Sequence, residues 1–92
     1  MAKLGARRAT VVARYRAAEL TLPSHGTRCT AHYAVRSDGT ILVKTDYARM
    51  DGSRLSSGWA VYRKPARVGT LAERVARARL YLDSQAVLTA QA

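Results

Sequence analysis

Residues 6–20 read ARRATVVARYRAAEL, and the fold turns on whether this stretch is helix or strand. On a helical wheel Leu4, Val11, Tyr15, Ala18 and Leu22 fall near one face, with Arg7, Arg14 and Arg16 toward the flanks and the far side. The alanines support a helix. Thr10, Val11 and Val12 weaken one, because β-branched side chains lose rotamer freedom there. A strand fits the same letters, since Val11, Ala13 and Tyr15 alternate with Val12, Arg14 and Arg16. The periodicity predicts a helix over 6–20, with the strand as the standing alternative. Pro23 ends the element on either reading, ahead of a loop through Ser24, His25 and Gly26.

The next stretches carry a period of two. Over 27–36, Cys29, Ala31, Tyr33 and Val35 alternate with Arg28, Thr30, His32 and Arg36, which predicts a half-buried strand with Cys29 and Tyr33 inward. Ser37-Asp38-Gly39 is a tight-turn signal, and a second strand is expected from Thr40 to Ala48. Asp51-Gly52 marks another turn. Ser56-Ser57-Gly58 then reads as a bulge or a longer loop before a third strand at Trp59–Arg63. Trp59 and Val61 point one way, Ala60 and Tyr62 the other. As the only Trp in a chain without Phe, Trp59 is expected in the core.

Pro65 and Gly69 bracket a connection. Thr70 with Glu73 three residues on is a capping box, and Leu71, Val75, Ala78 and Leu82 make an apolar helical stripe to about Ser84. The expected fold is therefore α+β: a three-stranded antiparallel sheet flanked by an N-terminal and a C-terminal helix. One small domain should span 1–92, with 1–5 and 85–92 as flexible termini. The apolar fraction of 48% argues against wholesale disorder.

Charge is the strongest functional signal. Sixteen Lys and Arg oppose six Asp and Glu, a formal +10, which points to an anionic partner. A coding bias toward Arg would raise the Arg count but would not explain so few acids. The expected sheet face away from the helices carries Arg28, His32 and Lys44, with Tyr62 as a base-stacking candidate. Arg49 and Arg54 extend that surface. Arg63, Lys64 and Arg67 lead from it to Arg74 and Arg77 on the last helix. Guanidinium groups suit phosphates and guanine edges alike.

Other chemistries find little support. Cys29 is the sole cysteine, which rules out an intrachain disulfide and suits a cytoplasmic setting. His25, Cys29 and His32 lack the spacing of a four-ligand zinc site. Cys29 and His32 point to opposite faces of one strand, so they do not form a nucleophile–base pair. The glycines are isolated turn residues rather than a phosphate loop. Neither a cofactor nor a metal is expected, and no stretch is long and apolar enough for a membrane span.

The helix–three-strand–helix order is similar to that of the double-stranded-RNA-binding domain, although Gly69-Thr70-Leu71-Ala72 does not supply a lysine-rich helix start. A three-stranded sheet followed by a helix also resembles domains that lay a sheet in the DNA major groove. The expectation is a non-catalytic protein that binds DNA or RNA. The alternative is a small inhibitor or adaptor, phage- or mobile-element-encoded, set against an acidic protein surface. A core this small also admits a homodimer, through Leu80, Tyr81 or the strand edges.

Overall fold

The computed structural model describes residues 9–85 and 88–90. Among these residues, seven strand segments and one helix follow in order: β1 (Val11–Ala17), β2 (Leu20–Thr21), β3 (Arg28–Arg36), β4 (Ile41–Ala48), β5 (Arg54–Ser56), β6 (Ala60–Arg63), α1 (Leu71–Asp83) and β7 (Leu88–Ala90). They form one antiparallel sheet. β3 and β4 are its centre; β1 and β2 share the outer edge of β3, β5 and β6 share the outer edge of β4, and β7 pairs with β1.

The expected N-terminal helix is absent from the described part of 6–20, and with it goes the three-stranded, two-helix architecture. Residues 11–17 are strand. Burial there has a period of two: Ala13 and Tyr15 are buried, while Val12, Arg14 and Arg16 are exposed. The edge of β3 needs a hydrogen-bonding partner, and this segment supplies it from Val11↔Arg36 to Arg16↔His32. Ladder pairing and the burial of Tyr15 outweigh the helix propensity of the alanines. The likeness to the double-stranded-RNA-binding domain depended on that first helix and lapses with it.

Each edge of the central pair is irregular at two points, and one bulge on each edge faces the Ala31↔Thr45 pair. Between Arg16↔His32 and Leu20↔Cys29, the three residues Ala17, Ala18 and Glu19 face Thr30 and Ala31. Between Ser56↔Asp46 and Ala60↔Val43, the three residues Ser57, Gly58 and Trp59 face Lys44 and Thr45. Ser57 fixes the second bulge. Its N–H donates to the Thr45 carbonyl at 2.9 Å, and its Oγ accepts from the Thr45 N–H at 2.9 Å. Gly58 takes φ +77°, where a side chain would be strained. Bulges bend and twist the strands that carry them, so both edges curl.

α1 starts at the expected capping box. Thr70 Oγ1 accepts from the Glu73 N–H at 3.1 Å, and Glu73 Oε1 accepts from the Thr70 N–H at 2.7 Å. The helix lays Ala78 and Leu82 on Ala13, Tyr15, Val35 and Ile41, with Tyr33, Val75, Tyr81 and Leu88 around them. Leu71, expected in the stripe, is 56% exposed. Tyr15 Oη donates to Asp83 Oδ1 at 2.9 Å, tying β1 to the helix end. Burial, reinforced by the adjoining Asp83 carboxylate, raises the Tyr15 pKa.

Candidate nucleic-acid interface

The helix covers one face of the sheet, and among the described residues no element covers the other. Antiparallel register puts the open-face side chains in cross-strand rows. Arg16, His32 and Lys44 form one row; Thr30, Asp46 and Ser56 the next; Arg28, Ala48 and Arg54 the third. Arg14 extends the surface beside Ala34 and Leu42. The curled edges wall a cavity of about 820 Å³, lined by Arg16, Arg28, His32 and Arg54 together with Thr30 and Asp46.

Asp46 is the one strand carboxylate on this face. Its Oδ2 lies 3.0 Å from His32 Nε2 and its Oδ1 3.9 Å from Lys44 Nζ. Lys44 Nζ also sits 5.5 Å from the centroid of the Trp59 ring. Arg14, Arg16, Arg28 and Arg54 make no ion pair among the described residues. The cavity is therefore lined by three arginines without an ion-pair partner among the described residues, and its two acids are Asp46, already engaged by His32 and Lys44, and Glu19.

Of the residues expected to act, Arg28, His32, Lys44 and Arg54 come together here. Arg49 lies in the turn after β4, where its N–H donates to the Ser53 carbonyl. The others do not join this face. Tyr62 lies on the helix side, edge-on to Tyr33 with centroids 5.1 Å apart, so it is not a stacking platform on the open face. Arg63 stacks on Tyr81 at 4.3 Å. Arg63, Lys64, Arg74 and Arg77 gather at a second, smaller cavity beside the helix. Arg67 is exposed in the connector between the two groups. Of the surfaces named for self-association, Leu80 is exposed and Tyr81 is half-buried.

The sequence expectation missed Arg14, Arg16 and Trp59. The two arginines were legible in the alternation of 11–16, had the strand been preferred. Trp59, expected in the core, is 45% exposed on the open face. The bulge at 57–59 inserts one residue, which places Ala60 rather than Trp59 opposite Val43 and turns the indole outward.

Metal and nucleophile chemistry gain no geometry. His25 Nδ1 is 2.7 Å from Thr27 Oγ1 in the loop, His32 pairs with Asp46, and Cys29 belongs to the face opposite His32. No three His, Cys, Asp or Glu side chains converge among the described residues. Nor is any helix among them long and apolar enough to cross a membrane. No protein-family model matches the chain, and comparison with curated proteins and with solved structures returned no match.

Proposed function

We propose that the chain binds nucleic acid, without catalysing a reaction, through the open face of its sheet. The observation that carries this reading is the set of guanidinium groups of Arg16, Arg28 and Arg54, without an ion pair among the described residues, around one concave surface whose acids are Asp46 and Glu19, with Arg14 farther along the same face. Adjacent strands lie roughly 4.8 Å apart, so cations on different strands can meet successive phosphates of one backbone. Trp59, exposed at the edge and next to Lys44, offers an indole face to an unpaired base. The concavity suits a strand or duplex edge lying along it better than a flat protein surface.

The test is titration of the purified chain with single-stranded and duplex DNA and RNA at about 50 mM salt, repeated as salt rises. Binding whose logarithm falls linearly with log salt, and which is lost in an Arg16→Gln, Arg28→Gln, Arg54→Gln triple variant that still folds, is the expected result. Absence of binding to all four polymers sinks the reading. So does recovery from cell extract of one protein partner that survives nuclease treatment while no nucleic acid co-elutes.

A further inference from the structure

The second cavity lies on the helix side of the sheet, opposite the proposed interface. It measures about 160 Å³ and forms where the turn between β3 and β4 meets α1 and the end of β6. Arg63, Lys64, Arg74 and Arg77 contribute four cations to its lining, and no carboxylate is among the lining residues.

Three of these cations, Arg63, Arg74 and Arg77, are held by neighbouring groups, and Lys64 is exposed beside them. Gly39 has φ +90°, and a Cβ there would stand 2.8 Å from Arg74 Cβ. The turn thus packs directly on the helix and pins the Arg74 stem. Arg74 Nε is buried and has no hydrogen-bond acceptor among the described residues. The Arg63 guanidinium rests on the Tyr81 ring, and Arg77 donates to the Val68 carbonyl. Glu73, the acid of the first helical turn, is committed to the Thr70 backbone. Like charges lining one small cavity repel one another, and an anion seated among them relieves the repulsion while accepting from several donors at once.

We propose that this cavity is a binding site for a phosphate group. It is separate from the open-face reading and stands or falls without it, because the two surfaces lie on opposite sides of the sheet. The phosphate belongs either to a free phosphate or phosphomonoester, or to a nucleic-acid backbone. With both sites filled, one domain would hold anionic groups on its two faces.

Backbone amide NMR with inorganic phosphate, against chloride at matched ionic strength, tests the site. Saturable shifts are expected at Gly39, Lys64 and Arg74, with a dissociation constant of about 1 mM or tighter. Lys64→Gln, at an exposed position, should weaken binding about threefold or more, and Arg74→Gln should abolish it. Arg28→Gln with Arg54→Gln, on the other face, should leave it unchanged, so failure of the open-face reading is told apart from failure of this one. No response beyond that to chloride overturns the proposal, as does equal weakening by both sets of variants. A short single-stranded oligonucleotide added to the open-face double variant identifies the source. Shifts at the same amides assign a backbone phosphate, and a response to inorganic phosphate alone assigns a free one. A response to the oligonucleotide alone overturns a single-phosphate site.

Discussion

Val43 stands opposite Ala60, not Trp59. Without the extra residue at the 57–59 bulge, the indole would fall on the helix side among Tyr33 and Tyr62. With it, Trp59 reaches the open face beside Lys44. The frame slips again between Ile41 and Leu42, so that Tyr62 and Arg63 both turn toward the helix. Two one-residue irregularities on a single edge therefore decide which aromatic group meets solvent on which face.

Glycine substitutions separate this bulge from the turn that pins the helix. Gly58→Ala meets no atom within 4 Å, so only backbone strain at φ +77° opposes it; a loss of about 1 kcal/mol is expected. Gly39→Ala adds a collision with Arg74 Cβ to the same kind of strain. Chemical denaturation should rank Gly39→Ala clearly below Gly58→Ala. Equal midpoints would mean that the turn does not bear on the helix.

Leu82 is fully buried between the helix and the sheet. Leu82→Ala should cost about 3 kcal/mol through lost burial and the cavity left behind. Leu80→Ala, two residues away but 70% exposed, should change stability by less than about 0.5 kcal/mol. Thermal melts of the two variants read the difference.

Asp46 tempers the charge of the open face. Asp46→Asn removes the only strand carboxylate there and releases His32 and Lys44. Oligonucleotide affinity should rise several-fold at low salt, whereas Arg28→Gln should lower it and reduce the salt slope by about 0.7–0.9. Fluorescence anisotropy across a salt series measures both. An unchanged affinity in Asp46→Asn would place the polymer elsewhere.

Acid should loosen the contact between the β3–β4 turn and the start of α1 from both sides. Burial opposes ionisation of Asp38, but hydrogen bonds from Thr40 and the nearby Arg36 outweigh it and hold its pKa below the ordinary value. Glu73 is lowered chiefly by the hydrogen bond its carboxylate accepts from the Thr70 N–H. Folded pKa values below the unfolded ones stabilise the native state above the unfolded range, near pH 4, and that contribution is lost as pH falls through the lower folded values. The thermal midpoint should therefore decline below about pH 4, and Asp38→Asn should flatten the decline.

The central hairpin and the C-terminal helix were legible in the residues, and the architecture around them was not. The β3 and β4 alternations, the Asp38-Gly39 turn and the Thr70–Glu73 capping box are local, and each corresponds to an element of the structure. The N-terminal segment was not, because ARRATVVARYRAAEL satisfies a period of 3.6 and a period of 2 nearly equally. The basic face was half legible: Arg28, His32, Lys44 and Arg54 share it, while Arg14 and Arg16 were hidden behind the helix reading. Arg63, Lys64, Arg74 and Arg77 were grouped with it on charge alone, and the structure puts them around the other cavity.

The sequence by itself determined the excess of positive charge, the central hairpin and the capped C-terminal helix, since these depend on composition and on interactions between near neighbours. Tertiary structure decided that residues 11–17 are a strand, because β3 presents an edge that only a distant segment can pair. It also decided the faces. A bulge is a mismatch between two strands and belongs to neither alone, so the exposure of Trp59 and the separation of the cations into two sites follow from register rather than from any local pattern.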